Sequence, residues 1–195
     1  MESPSRTCPP EPKVIGRFAP SPTGQLHLGH ALSAVLAHDC ARAAGGQFIL
    51  RIDDIDAARA RPAYVAGIME DLAWLGLTWD ALVTQSDRLA LYDAALKRLQ
   101  AMGLAYPCFC TRADIAREVA ASASAPHGVD GPLYPGTCRL LSVGERAERL
   151  AAAAPCWRLD ARAAQARTGP LSWHDDRAGA VAVDVTALGD IVLKG

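Results

Sequence analysis

Within residues 13–52 a short apolar run, a turn-rich loop, a helical stretch and a second apolar run follow one another, and that order leaves few folds open. Lys13-Val-Ile-Gly-Arg-Phe18 reads as a strand, ended by Ala19-Pro-Ser-Pro-Thr-Gly24, a loop whose prolines and glycine cannot continue it. From Leu28 the apolar positions Leu28, Leu32, Val35 and Leu36 fall on one helical face, and Gly45-Gly46 closes the helix. Gln47-Phe-Ile-Leu-Arg-Ile52 is apolar enough to be a central parallel strand. Strand, helix and strand in this order predict a βαβ unit of an α/β fold. A right-handed crossover then brings the loop after the first strand and the loop after the second to the same edge of the sheet.

Downstream, residues 62–75 predict a helix with Pro62 at its first position, Gly76 at its end, and Val65, Ile68, Met69, Leu72 and Leu75 at helical spacing. Another is predicted from after Ser86 to Gly103, its stripe of Leu89, Tyr92, Leu96 and Leu99 read as core packing. Residues 104–140 change character: Tyr-Pro-Cys-Phe-Cys110, a short helical piece from Arg112, a Ser/Ala/Gly/Pro-rich loop from Ser122 to Gly136, then Cys138. Ser142-Val-Gly-Glu145 is a capping box opening an Ala-rich helix that stops at Pro155, and Trp157-Arg-Leu and Ile191-Val-Leu read as strands.

The 195 residues are 50% hydrophobic, enough for a proper core, which excludes intrinsic disorder. A formal net charge of −1 gives no global positive field toward nucleic acid or membrane, so any RNA contact has to be local. No apolar run approaches the roughly 18 residues of a membrane span, and the acidic, Pro-rich start Met1-Glu-Ser-Pro lacks the regions of a signal peptide. The chain is therefore expected to be cytoplasmic, with no membrane partner and reduced thiols, and to act as a monomer. Cys8, Cys40 and Cys156 are isolated in sequence and read as small buried or tail residues.

Three clusters carry chemistry. His27-Leu-Gly-His30 lies where the Gly/Pro loop meets a helix start, whose free N–H groups and partial positive charge favour a phosphate. Gly29 lets a ligand approach the helix end, and the two imidazoles can donate to a developing phosphoryl oxyanion; two surface histidines or a zinc pair are the other readings of the same spacing. Asp53, Asp54 and Asp56 follow the second strand, either as a charged site or as a solvated turn before a helix. Cys108-Phe-Cys110 and Cys138 offer three thiolates to one metal, with His127 in the loop a chemically suitable further ligand and Tyr134, beside Pro135, read from the residues alone as a loop aromatic.

Read as one string, Gly16-Arg-Phe-Ala-Pro-Ser-Pro-Thr-Gly-Gln-Leu-His-Leu-Gly-His30 resembles the signature of the glutamyl and glutaminyl class I aminoacyl-tRNA synthetases, and Arg51-Ile-Asp-Asp-Ile-Asp56 resembles their RIEDTD or RIEDID segment. Within that group the Ile at position 55 and the Cys-x-Cys, Tyr-x-x-x-Cys pattern are similar to the glutamyl-Q tRNA(Asp) synthetases, a short subfamily without an anticodon-binding domain. The resemblance implies a Rossmann-like parallel sheet with a small zinc-stapled insertion, incomplete at its C-terminus. It implies activation of L-glutamate by ATP with Mg²⁺ to glutamyl-adenylate, and transfer to the queuosine of tRNA(Asp). His27 and His30 would be catalytic and, with Gly29, would bind ATP. Arg17, Phe18, Ala19, Pro20 and Ser21 would form the glutamate-binding loop, Arg17 meeting the substrate's side-chain carboxylate. The family's acidic position falls on Asp53, which would hold the α-ammonium although it is one methylene shorter than the family's Glu. Cys108, Cys110, Tyr134 and Cys138 would hold one structural Zn²⁺.

The expected organisation is a disordered tail at 1–12, the first half of the catalytic domain at 13–103, a zinc-binding insertion at 104–140, and a truncated continuation at 141–195. After Lys97 the next lysine is Lys194, so the family's mobile KMSKS-like loop is missing, and the resemblance stops at Gly189-Asp-Ile-Val-Leu-Lys-Gly195. The chain alone is therefore expected to lack part of the active site. A fragment of a discriminating glutamyl-tRNA synthetase and a non-catalytic remnant binding zinc and ligand are the alternatives.

Overall fold

The computed structural model describes residues 14–121, 127–128, 131–175 and 177–194. The chain divides into two compact units between Leu91 and Tyr92.

In the first unit, β1 (Ile15–Phe18), α1 (Leu28–Ala43), β2 (Gln47–Ile52), α2 (Pro62–Trp74) and β3 (Ala81–Thr84) follow in order. The strands form a parallel sheet ordered β1-β2-β3, with Phe18 opposite Leu50 and Leu50 opposite Leu82. The central strand is the one expected. Phe48, Leu50 and Ile52 alternate onto one face and are fully buried with Ile68 and Leu72 of α2; each such side chain contributes roughly 1.5–3 kcal/mol relative to exposure. The α2 stripe lies where its spacing put it, with Val65, Met69 and Leu75 packed beside the core. Gly76, at φ +74°, terminates the helix as only glycine does readily.

The leucine stripe of α1 does not face the core. Leu28, Leu32 and Leu36 are 89%, 61% and 56% exposed, while Ala34 and Ala41 are completely buried. The reason lies in β1: a Cβ on Gly16 would stand 2.5 Å from the carbonyl oxygen of Ala37 and 2.9 Å from Ala41 Cβ. The helix backbone rests almost directly on the strand, so only its small residues fit underneath. β3, unforeseen in the sequence, is tied to the centre through Asp80, whose carboxylate accepts from Phe48 N–H and from Arg42 Nη1, each at 2.7 Å.

A 3₁₀ turn at Ser86–Arg88 leads into α3 (Leu89–Ala101), of whose stripe only Leu96 is buried; Leu89 and Tyr92 are exposed, against the core reading. There follow β4 (Ala105–Cys108), α4 (Arg112–Ala121), the two-residue strands β5 (His127–Gly128) and β6 (Gly131–Pro132), a 3₁₀ turn at Thr137–Leu140, and α5 (Val143–Ala152). Ser142 and Glu145 form the expected reciprocal cap of α5. Then come β7 (Cys156–Leu159), α6 (Ala161–Thr168), the hairpin of β8 (Leu171–Asp175) and β9 (Gly179–Val183), and β10 (Val192–Lys194). β4, β7 and β10 make an antiparallel sheet ordered β10-β7-β4, so the segment set apart as an insertion is hydrogen-bonded through β4 to the chain after residue 155.

Asp190 ties this unit together. Its carboxylate accepts from Tyr106 Oη at 2.5 Å, Arg139 Nη1 at 2.6 Å and Ala161 N–H at 3.0 Å, and its carbonyl accepts from Arg158 Nη1 at 2.8 Å. Burial and the neighbouring carboxylate push the Tyr106 phenol far above its ordinary range, so it stays a donor. Of the cysteines taken as small buried or tail residues, Cys40 is exposed, and Cys156, opposite Cys108 in the β4–β7 register, packs against the other thiols; Cys8 lies outside the described residues. Among the described residues no helix is long and apolar enough to cross a membrane.

Candidate functional site

Two sites are built by these elements, one in each unit. In the first, the loops leaving β1 and β2 meet as the crossover requires: Asp53 N–H donates to Pro20 O, and Arg61 N–H donates to Pro22 O, both at 3.0 Å. Pro22 is fully buried and Ser21 exposed, so the turn is anchored from below and presents its hydroxyl-bearing residue outward. Arg17 is exposed at the end of β1. Phe18, grouped with the ligand-binding loop in the sequence reading, turns its ring into the core and acts as an anchor for that loop.

His27 and His30 cap α1 reciprocally. Gly29 N–H donates to His27 Nδ1 at 3.1 Å, and His27 N–H donates to His30 Nδ1 at 3.3 Å. The two rings stack with centroids 3.7 Å apart. A neutral imidazole whose Nδ1 accepts carries its proton on Nε2, so in that form each of the two stacked rings keeps Nε2–H as its donor. Gly29 has a second duty besides leaving room for a ligand: a Cβ there would lie 3.1 Å from Cε1 of His27, inside the space the capping ring uses.

The three aspartates are separately engaged. Arg51 Nε and Nη2 grip Asp53 as a fork, at 2.6 and 2.8 Å. Asp54 accepts from Ser86 N–H at 2.9 Å and Ser86 Oγ at 2.6 Å; burial works to raise its pKa, but these bonds outweigh it and the pKa is lowered. Asp56 pairs with Arg59 at 2.6 Å. Arg51 was passed over in the sequence even though it stands two residues before Asp53, the spacing that puts strand neighbours on one side. A cavity of about 410 Å³ opens beside Asp54, Arg61, Val65 and Met69, and another of about 300 Å³ beside His27, Leu28, Asp71 and Trp74.

In the second unit Cys108, Cys110 and Cys138 bring their Sγ atoms within 4.8 Å of one another. Tyr134 Oη lies 3.4 Å from Cys108 Sγ and 3.7 Å from Cys110 Sγ, Cys110 and Cys138 are 3.5 Å apart, and Cys138 N–H donates to Tyr134 Oη at 2.9 Å. All four residues proposed from the sequence thus converge; the side chain of His127 lies outside what is described. Burial disfavours a thiolate at Cys108, yet the hydrogen bonds from Tyr134, the Cys110 N–H and Arg158 bring its pKa down to about 7. Burial, with Cys138 and Cys108 alongside, outweighs the Tyr134 hydrogen bond at Cys110 and pushes it up to about 12. Three sulfurs and one oxygen around a common point could hold a metal ion. The sequence reading named these four candidates but not Arg158, whose guanidinium sits 4.1 Å over the Tyr134 ring, because that contact is tertiary.

The family model described as tRNA synthetases class I (E and Q), catalytic domain, matches residues 13–194. The chain belongs to this family of class I tRNA synthetases. The class I assignment accords with the parallel sheet and with a histidine-bearing helix start at its edge. The chain is 51% identical over 189 residues to a glutamyl-Q tRNA(Asp) synthetase of Rhodobacter capsulatus, covering 92% of this chain and 66% of that protein. It is 43% identical over 180 residues to glutamate–tRNA ligase 2 of a Methylobacterium species, covering 92% of this chain and 38% of that one. Among solved structures, a glutamate tRNA ligase from Elizabethkingia meningosepticum in complex with its amino acid superposes with a TM-score of 0.72 at 28% identity, over 93% of this chain and 38% of that chain. The chain therefore spans between about two fifths and two thirds of the length of these class I relatives.

Proposed function

We propose that this chain supplies the amino-acid- and nucleotide-binding part of a glutamyl-Q tRNA(Asp) synthetase, with L-glutamate, ATP and a queuosine-bearing tRNA(Asp) as its substrates. The observation that carries the reading is the capped start of α1, where His27 and His30 stack and both use Nδ1 as the capping acceptor, at the sheet edge that also carries Arg17, Ser21 and Asp53. In the proposed reaction the α-carboxylate of glutamate attacks the α-phosphorus of ATP in line, and pyrophosphate leaves. The Nε2–H groups of the two histidines donate to the phosphoryl oxygens as charge builds there, so neither has to be a nucleophile. Mg²⁺ accompanies the ATP phosphates. The Arg17 guanidinium takes the substrate's side-chain carboxylate, and the Asp53 carboxylate takes the α-ammonium. Because Arg51 already forks Asp53, the ammonium meets a carboxylate held in a fixed orientation.

Cys108, Cys110, Cys138 and Tyr134 are proposed to hold one structural Zn²⁺. A tetrahedral centre with Zn–S of about 2.3 Å and Zn–O of about 2.0 Å has S···S edges of about 3.8 Å and S···O edges of about 3.5 Å. The contacts of 3.5 Å between Cys110 and Cys138, and of 3.4 and 3.7 Å from Tyr134 to Cys108 and Cys110, agree with those edges. With four protein ligands the ion has no open position, so it would fasten β4 to the segment around Cys138 and supply no chemistry to the reaction.

A glutamate–tRNA ligase is the second reading, favoured by the Methylobacterium relative and the solved neighbour. The test of the first step is glutamate-dependent ATP–pyrophosphate exchange by this chain extended with the part of the Rhodobacter capsulatus relative it does not span. Exchange that requires glutamate and disappears in His30→Ala supports the reading; exchange driven equally well by aspartate or glutamine refutes it.

A further inference from the structure

We propose that Arg158 is a positioning residue of the cysteine cluster, holding the Tyr134 oxygen in place as the fourth donor and offsetting the surplus negative charge of the loaded centre. The inference rests on the zinc reading above and adds to it a residue outside the ligand set. It begins from register. Tyr106 stands opposite Arg158 and Cys108 opposite Cys156 in the antiparallel β4–β7 pair, so these four side chains share one face of the sheet. That face carries a buried arginine, Arg158, 9% exposed, in the same register as the thiols of Cys108 and Cys156.

A buried charge is costly unless it is paired. Among the described residues no carboxylate forms an ion pair with Arg158: the Asp190 carboxylate is spent on Tyr106, Arg139 and Ala161, and Arg158 reaches only the Asp190 carbonyl, at 2.8 Å. Its Nε is buried without a hydrogen-bond partner. What the guanidinium does meet is the cysteine cluster, through the face of the Tyr134 ring 4.1 Å from its Cζ and as the diagonal cross-strand neighbour of Cys108. Three thiolates and a phenolate around a dication leave two surplus negative charges, and Arg158 is a buried cation stacked on one of the four ligands and diagonal to another across the strand pair. Stacked flat on the ring, it also limits rotation of Tyr134 while Cys138 N–H grips the phenol oxygen from the other end, at 2.9 Å. A lysine would bring the charge without the flat face.

The experiment uses the whole 195-residue chain with reduced thiols, titrated with zinc against a chromophoric chelator while the ultraviolet band of metal-bound tyrosinate is followed. The wild-type chain takes up one zinc and develops the band, and Tyr134→Phe takes up zinc without it. Arg158→Met should weaken zinc about 10- to 100-fold, the usual effect of losing a partner behind a ligand, and should reduce the tyrosinate band. Arg158→Lys should recover part of the affinity but not the full band. In the Tyr134→Phe background Arg158→Met should cost much less, because the ring on which Arg158 stacks then no longer carries a metal-bound oxygen. Arg158→Met with wild-type affinity and an undiminished band overturns the proposal. If Arg158→Met does not fold, Arg158→Lys decides in the same way, a wild-type band and affinity counting against it. Failure of the wild-type chain to bind zinc overturns the zinc reading itself, and shows in the first titration before any Arg158 variant is made.

Discussion

Replacing His27 separates a capping histidine from a catalytic one. Its ring accepts from Gly29 N–H and stacks on His30, so part of what it does is hold the first turn of α1. Removing an N-cap side chain costs about 1 kcal/mol, within a range of roughly 0.5–2, and asparagine ranks among the best replacements. His27→Ala should therefore lower the unfolding free energy by about 1 kcal/mol, whereas His27→Asn, whose amide oxygen can take the same Gly29 N–H, should stay within about 0.5 kcal/mol of wild type. Both variants lose the Nε2–H donor. Loss of one preorganised donor to a developing oxyanion costs about 2.7–4 kcal/mol, a factor of roughly 100–1,000 in rate. Urea unfolding of the chain measures the first quantity, and pyrophosphate exchange by the extended protein measures the second. An asparagine variant that folds like wild type and exchanges within threefold of it would show that His27 is a cap and nothing more.

Gly16→Ala places a methyl 2.5 Å from a helix carbonyl that cannot swing away, and should destabilise the first unit by about 1–3 kcal/mol in denaturant unfolding; an unchanged midpoint would mean that α1 does not rest on β1 as described. Cys110→Ser should abolish the single zinc found by metal analysis of freshly reduced protein, and a full complement of zinc in that variant would remove Cys110 from the ligand set. Asp53→Asn should weaken glutamate by at least tenfold while leaving ATP nearly unchanged in binding titrations, since the charge is lost only at the amino acid; equal weakening of both ligands would show that Asp53 does not meet the ammonium.

The strand–helix–strand start was legible because β2 is a continuous apolar run and the loop before α1 is dense in proline and glycine. The buried face of α1 was not. Its leucines dominate any hydrophobic count, yet Gly16 brings the helix so close to the sheet that alanines are what fit. β3 spans four residues, too few for a period-two pattern to stand out, and it owes its place to Asp80, which reaches back to Phe48 across 32 positions. Asp160 accepts from Ala163 N–H as an ordinary N-cap, a signal that was available for α6 and was overlooked. The histidines, Asp53 and the four cluster residues could be named because their spacing is local. Arg51 stood within local reach of Asp53 and was overlooked, whereas Arg158 and Asp190 act through partners set by the fold, Asp190 meeting Tyr106 over 84 positions, and no local pattern announces them.

The proposed function is tested most directly by where labelled glutamate ends up. The extended protein would be incubated with ATP, Mg²⁺ and labelled glutamate, together with tRNA(Asp) carrying queuosine, the same tRNA carrying unmodified guanosine, or tRNA(Glu). Label is expected on the queuosine-bearing tRNA(Asp) alone, within its anticodon loop, and should be lost in His30→Ala. Label at the 3′ end of tRNA(Glu) would contradict this and establish the glutamate–tRNA ligase reading, and label on tRNA(Asp) regardless of queuosine would contradict the assigned acceptor.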